Sequence, residues 1–239
     1  LAATANLKIL VTSREALNLQ EEWVRQIEGL SFPERNRNGS LENYGAVQLF
    51  LDRARRIRGD FDLHEDSQSV VDICRLVEGM PLAIELAAGW LKTLQLSDIA
   101  REIQHNIDIL TTRSRNLPER HRNIRLVFSH SWKLIEDDER EVFPKLSLFR
   151  GGFTREAAEC VAGASLDTLA GLVDKSLVRL GSAGRYDVHE LLRQFGEEQM
   201  DADELEQAQT AYIDYYLGML GQLESGIKAH RQSESLNAI

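Results

Sequence analysis

The sequence predicts a mostly α-helical chain in which a remnant of a parallel α/β sheet precedes a helical bundle, a winged helix and the start of a helical array. Three observations predict this class. A continuous apolar run, LKILVT at 7–12, is typical of a strand buried on both faces of a parallel sheet. Apolar residues then recur at helical spacing over most of the chain. Two short alternating segments, separated by a turn with two glycines, predict one late hairpin.

The boundaries follow from these patterns. We predict the sheet remnant in residues 1–35, the helical bundle in 36–115, the winged helix in 116–200 and the first part of a helical array in 201–239. A second short strand, from Trp23 to Leu30, could pair with the first. The βα units that should come before both strands are not in the sequence, so we expect an incomplete sheet.

Four helices are predicted in the bundle. The first follows Ser40, a candidate N-cap, and has apolar residues at helical spacing. The second stops at Gly79, and Pro81 opens a third helix that is apolar nearly all round and should be central and buried. The fourth is an amphipathic helix from Ser97 to Leu110.

A basic connector at 112–125, broken by Pro118, marks the next boundary. Helices are then predicted at 124–134, 138–146, after Thr154 and at 166–175, with a bend or helix end at Pro144. Strands at 177–180 and 185–188 form the hairpin, and another helix follows Val188. Helices followed by a hairpin indicate a winged helix. The amphipathic segment Ala211–Leu223 resembles the first unit of a helical array.

Composition limits the function classes. The 239 residues are 43% hydrophobic, enough for a sizeable core and more than one domain. A net charge of -10 repels phosphate backbones and argues against a general nucleic-acid-coating role. No run reaches the roughly 18 apolar residues of a membrane span and no leader opens the sequence, so we expect a cytoplasmic location. The chain begins without methionine, and we expect a piece of a longer protein.

Common catalytic motifs are missing from the sequence. It has no Cys-x-x-Cys, His-x-x-His, His-Glu-x-x-His or Gly-x-Ser-x-Gly, which argues against zinc and serine-hydrolase chemistry. Cys74 and Cys160 lie in apolar helical patterns and are expected to be reduced core residues. No glycine precedes a lysine, so there is no P-loop, and tight triphosphate binding has no obvious source in this chain.

Three short signals remain. Thr12-Ser13-Arg14 follows the first strand and places a cation at its carboxyl end, where open α/β sheets bind ligands. Gly79-Met80-Pro81 opens the buried third helix. His189 lies between the hairpin and the next helix, where an imidazole can donate a hydrogen bond to a phosphate oxygen. Each also has a plain structural explanation: a surface arginine, a helix start and a structural histidine.

Taken in order, the segments KILVTSRE, GMPLAIELAA, LSLFRGGFTREAAE, LVDKSLV and VHELLRQFG resemble the bacterial STAND ATPases. These NB-ARC-related P-loop proteins occur in large LuxR-type and antibiotic-regulatory transcription regulators. The resemblance covers nearly the whole chain. It implies that 1–35 is the end of the P-loop NTPase core and that the C-terminal array is TPR-like. The family's phosphate-binding loop and metal-carrying acidic strand would precede Leu1.

The resemblance also implies roles for individual residues. Arg14 would be the sensor-1 arginine facing the γ-phosphate, with Thr12 and Ser13 as weaker candidates beside it. Pro81 would be the proline of the Gly-x-Pro motif near the adenine, with Gly79 as a weaker candidate. His189 would contact the β-phosphate of bound ADP and lock the closed state.

One departure from the family concerns the neighbours of that histidine. Val188 and Glu190 replace the Met and Asp that usually flank it, which leaves the role of the third position open.

The expected function is therefore part of a nucleotide-dependent signalling switch, locked by ADP and activated by ATP. The parent would be an ATPase using ADP or ATP with Mg, whereas this chain alone should be inactive and should hold no nucleotide tightly. Expected partners are the N-terminal NTPase core, other copies on activation, and an effector or DNA-binding domain elsewhere in the parent, but no membrane. The alternatives are a DNA-binding winged helix and a helical partner-binding scaffold, for which the connector Arg113–Arg125 would be the contact surface.

Overall fold

A computed structural model describes residues 8–13, 17, 19–25, 27–34, 40–112, 118, 121–181 and 183–228. These residues form ten α-helices and one two-stranded hairpin, which confirms the mostly helical fold class. The first four helices, called the first helical group below, are α1 (Gly45–Ile57), α2 (Ser67–Leu76), α3 (Pro81–Gly89) and α4 (Leu96–His105). The remaining elements are α5 (Ile124–Trp132), α6 (Asp137–Leu146), α7 (Arg155–Ala162), α8 (Leu166–Asp174), β1 (Arg179–Leu180), β2 (Tyr186–Asp187), α9 (Glu190–Glu197) and α10 (Ala202–Lys228).

The first helical group is held together by its apolar faces. Helix α1 packs against α3, and α2 packs against α4. Asp66 begins α2, because its carboxylate accepts a hydrogen bond from the Ser69 amide at 3.2 Å. As predicted, α3 is buried on most of its surface; its buried residues are Ala83, Ile84, Leu86, Ala87 and Ala88.

Helices α6, α7 and α8 followed by the β1–β2 hairpin have the element order of a winged helix. Helix α6 packs against α7, α8 and α9. In the hairpin, Arg179 pairs with Asp187 and Leu180 with Tyr186. Phe153 and Tyr186 exchange two backbone hydrogen bonds of 2.8 Å, which adds a one-residue third strand to the hairpin.

The long helix α10 is attached to the winged helix through aromatic rings. Tyr212 lies 5.2 Å and Tyr216 6.4 Å from Phe149, measured between ring centroids. Phe149 contacts Phe153 at 4.9 Å, and Phe153 stacks on Tyr186 of β2 at 5.8 Å. A continuous row of rings therefore connects α10 to the hairpin.

The two predicted N-terminal strands are not formed by the residues that the structure describes there. Residues 8–12 belong to no strand, and Ile9, Leu10 and Val11 are 58%, 96% and 52% exposed. The second predicted strand also lies outside any sheet, and Trp23 is 97% exposed. The physical reason is that a strand of this kind needs hydrogen-bonded neighbours, and the described residues supply none to it.

Three smaller predictions also need correction. Cys74 is buried as expected, but Cys160 is exposed on α7. The predicted fourth helix ends at His105, because Asn106 is extended and its side chain caps the following short turn. Helix α6 continues past Pro144 and ends two residues later at Leu146, although Pro144 has no backbone N–H to donate to the preceding turn.

Candidate functional site

The segment between α2 and α3 is a tight backbone corner. Glu78 and Gly79 both have left-handed backbone angles, with φ of 45° and 68°. The Gly79 amide donates to the Cys74 carbonyl at 3.0 Å and the Met80 amide donates to the Val77 carbonyl at 2.8 Å, which closes α2. Pro81 then occupies the first position of α3. The predicted Gly-x-Pro motif is therefore a chain reversal between two buried helices.

A glycine is required at this corner. A Cβ at Gly79 would lie 1.9 Å from the carbonyl oxygen of Leu30, and the Leu30 amide donates to the Gly79 carbonyl at 2.9 Å. The close backbone approach leaves no space for any other side chain. The corner thus anchors the segment that leads into the first helical group.

His189 is the N-cap of α9. Its Nδ1 accepts a hydrogen bond from the Leu191 amide at 3.1 Å, so the neutral ring carries its proton on Nε2. The side chain is 9% exposed, and among the described residues Nε2 has no hydrogen-bond partner. Burial lowers the pKa of His189 below 6.5, although the nearby carboxylate of Glu78 and the backbone of Val77 act in the opposite direction. The imidazole is therefore held neutral, and its Nε2–H makes no hydrogen bond of normal geometry to the described residues.

Glu78 joins the corner to the start of α9. One of its carboxylate oxygens accepts from the Glu190 amide at 2.8 Å, and the other accepts from the Arg179 guanidinium at 2.6 Å. Arg179 also donates to Asp187 across the hairpin at 2.7 Å. The second and third predicted motifs, far apart in sequence, are thus neighbours around Glu78.

A buried charge network lies along α9. Arg193 is only 5% exposed and donates to Glu190 at 2.7 Å, to Glu197 at 2.8 Å and to the Ser147 carbonyl at 3.3 Å. Burial by itself would raise the pKa of Glu190, but the hydrogen bond and charge of Arg193 outweigh it and lower that pKa. Gln194 donates to the Ile103 carbonyl at 3.2 Å, so α9 contacts the first helical group as well as α6.

The first predicted motif does not join this cluster in the described residues. Arg14 lies outside them, so its sensor role stays a prediction. Thr12 and Ser13 are described and exposed, in a segment without regular secondary structure. Pro81 is exposed at the start of α3, whereas Gly79 is buried.

Sequence patterns missed Glu78 and Arg179. Their contact joins residues 101 positions apart, and the Glu78–Glu190 contact spans 112 positions. At the end of the basic connector, Arg125 pairs with Asp108 and Glu198, and its side chain is 28% exposed. A signal for Glu78 existed only in its position next to a helix-ending glycine.

The described part of the chain offers no metal centre and no membrane-spanning helix. No group of three or more His, Cys, Asp or Glu side chains in it could hold a metal ion. None of its helices is both long and apolar enough to cross a bilayer.

Comparison with known proteins gives distant relatives. No protein-family model matches the chain. It is 30% identical over 236 residues to candidate HTH-type transcriptional regulators of Mycobacterium tuberculosis and Mycobacterium bovis, covering 94% of this chain and 26% of theirs. An uncharacterized protein of Mycobacterium tuberculosis is 33% identical over 187 residues, covering 74% of this chain and 45% of that protein. The chain thus spans about a quarter of the length of the regulators that it resembles.

One solved structure shows a weak likeness. It is a STAND protein (signal transduction ATPase with numerous domains) with a tetratricopeptide repeat sensor from Pyrococcus horikoshii. The TM-score is 0.37 with 16% identity, over 78% of this chain and 25% of that one. A TM-score this low does not establish a common fold. The sequence similarity to the mycobacterial transcriptional regulators is therefore the stronger of the two comparisons.

Proposed function

We propose that this chain is the C-terminal part of the nucleotide-binding module of a STAND-type regulator. In this proposal ADP holds the first helical group and the winged helix together, and exchange for ATP releases them. The observation that carries it is the buried Nε2–H of His189 beside the α2–α3 corner, which makes no hydrogen bond of normal geometry to the described residues. The order of the family motifs and the regulator names of the relatives support it.

The chemistry of His189 suits a phosphate group. A neutral imidazole whose Nδ1 is already used as an acceptor can present only a donor at Nε2. A phosphate oxygen is an acceptor without a proton at neutral pH, so the two groups are complementary. Pro81, in the corner, would lie on the base side of the same nucleotide by the resemblance. Such a ligand would bias the interface by contacting both halves only in the closed state.

The charges around His189 explain why this chain alone should bind nucleotide poorly. The charged groups that act on its ring are the carboxylates of Glu78 and Asp187 and the guanidinium of Arg179, which together are net negative. A polyphosphate therefore needs further cations. The proposal assigns these to Arg14, to the lysine of a P-loop and to Mg in the N-terminal core, which would also supply ATPase activity.

The exposed N-terminal segment supports a contact with the proposed N-terminal core. Ile9, Leu10, Val11 and Trp23 are all more than half exposed, and large exposed apolar side chains in one segment suit a contact with another part of the protein. We assign it to the sheet of the N-terminal core. Self-association on activation, a TPR-like array after α10 and a cytoplasmic location belong to the same proposal.

DNA reading by the winged helix is the less favoured candidate. Helix α8, which would enter the groove, exposes Leu166, Asp167 and Asp174 and contains no arginine, lysine or asparagine. Carboxylates at these positions repel the DNA backbone. Titration of a labelled duplex at low salt should show no salt-dependent binding by this chain.

The test of the proposal uses the full-length protein. ADP released on denaturation is quantified by chromatography for the natural protein and for His189→Ala. We expect near-stoichiometric ADP in the natural protein and a loss of about tenfold in retention in the variant, since a hydrogen bond to a charged group is removed. His130→Ala is the matched control, because His130 is exposed on α5. Equal ADP content in all three proteins would refute the assignment of His189.

A further inference from the structure

The backbone of Glu78 is unusual and is fixed from several sides. A residue with a side chain rarely adopts a φ of 45°, and such strain persists only where the surroundings enforce it. The Glu78 amide donates to the Arg75 carbonyl at 2.9 Å, and Gly29 leaves space for the Glu78 carbonyl, which an added Cβ would approach to 2.4 Å. This conformation directs the Glu78 side chain out of the corner towards the winged helix.

Both oxygens of the Glu78 carboxylate accept hydrogen bonds from the hairpin and the start of α9. The Glu190 amide is the first of α9 and has no acceptor within its own helix, so Glu78 supplies the acceptor from outside. Arg179 on β1 takes the second oxygen. The Glu78 side chain is 21% exposed, which shields these contacts from water.

We propose that Glu78 is a positioning residue that fastens the first turn of α9, and with it His189, to the α2–α3 corner. The contact keeps the two halves of the candidate site in register until the interface opens. Its consequence for nucleotide rests on the proposed function, but the contact itself does not.

A carboxylate is needed for this role. It offers two acceptor oxygens, whereas the amide of glutamine offers one and replaces the other with a donor that would face the guanidinium. Arg179 retains Asp187 when Glu78 is changed, so the substitution weakens the contacts of Glu78 with the winged helix, while the Arg179–Asp187 pair and the Gln194–Ile103 hydrogen bond remain. Loss of the contact should therefore loosen the start of α9 selectively.

The first test is hydrogen exchange on this chain, followed by NMR. In Glu78→Gln we expect the Glu190 amide to exchange about tenfold faster, the difference between a charged and a neutral acceptor. The matched control is Glu85→Gln, the same chemical change at an ion pair with Arg53 inside the first helical group. The control should leave Glu190 unchanged. Unaltered exchange in Glu78→Gln, or equal acceleration in both variants, would overturn the proposal.

A second variant covers the case in which Glu78→Gln does not fold. Arg179→Gln breaks the same contact at a side chain that is 50% exposed, without altering the strained corner. It should also speed the exchange of the Glu190 amide, and combining it with Glu78→Gln should add less than the sum of the two effects. Additive effects, or no effect of Arg179→Gln, would contradict a shared contact.

The full-length protein separates this inference from the proposed function. If Glu78 positions the site, Glu78→Gln should release bound ADP several-fold faster than the natural protein, and Glu85→Gln should not. A natural protein without any ADP, together with faster Glu190 exchange in Glu78→Gln, would reject the nucleotide switch and retain the positioning role. Faster exchange without faster ADP release would reject the link between the contact and the ligand.

Discussion

Replacing Gly79 by alanine tests whether the corner geometry is as tight as described. Two costs are expected. The left-handed backbone, with φ of 68°, costs an alanine about 1.5 kcal/mol. The added Cβ would lie 1.9 Å from the Leu30 oxygen, so the Leu30 segment must move and its hydrogen bond to Gly79 must break. That bond contributes about 1.5 kcal/mol, giving a total near 3 kcal/mol.

Gly163 provides the matched control for this substitution. It has a φ of 70°, but a Cβ there would meet no atom within 4 Å. Gly163→Ala should therefore cost only the backbone term of about 1.5 kcal/mol. The difference between the two variants isolates the approach of Leu30 to the corner.

The assay is urea unfolding followed by circular dichroism, with amide exchange at Leu30. Gly79→Ala should lose about twice the unfolding free energy lost by Gly163→Ala, and only Gly79→Ala should expose the Leu30 amide to exchange. Equal losses with a protected Leu30 amide would refute the described corner.

Two further predictions concern pH and the buried ion pair. Burial lowers the pKa of His189 in the folded chain, so as the pH falls below 6.5 the unfolded chain takes up a proton that the folded ring resists, and stability falls. His189→Asn keeps an N-cap but does not titrate in this range. Between pH 7.5 and 5.5, about 1 unit either side of the unperturbed pKa of histidine, its melting temperature should therefore fall less than that of the natural chain. Equal falls in the two proteins would contradict the assignment. Lys175→Met should destabilise the chain by about 3 kcal/mol in urea unfolding. It removes the ammonium group that lies 2.6 Å from the Glu139 carboxylate and so leaves a buried negative charge without its partner. Adding Glu139→Gln should recover part of the loss, and an unrecovered loss would locate the cost elsewhere.

Local patterns predicted the parts of the fold that depend on local physics. Pro81 as a helix start and the hairpin turn with its two glycines were predicted from residue types whose backbone preferences are intrinsic. His189 was placed at a helix N-terminus by the order of the hairpin and the following helix. The apolar run at 7–12 forms no strand in its described residues, because a buried strand needs neighbouring strands that these residues do not supply. Cys160 was misplaced because an apolar neighbourhood in sequence does not fix which face of α7 a residue occupies.

The candidate site was predicted only in part, for a related reason. Gly79 and His189 were identified by type and position, but the contacts that bring their segments together, among them those of the Glu78 carboxylate to the hairpin and α9, were not. A glutamate before a glycine looks like an ordinary solvated side chain. Its left-handed conformation and its two partners arise only from tertiary packing.

The row of aromatic rings couples the position of α10 to that of the hairpin. Tyr212 and Tyr216 fix the middle of the helix to the ring row that ends on β2, one residue before the aspartate that shares Arg179 with Glu78. The helix continues to Lys228, roughly 18 Å beyond Tyr216 at 1.5 Å per residue. A rotation of the hairpin by about 10° would sweep that end through about 3 Å. A rotation of the hairpin would therefore be transmitted along α10 as a displacement of its C-terminal end.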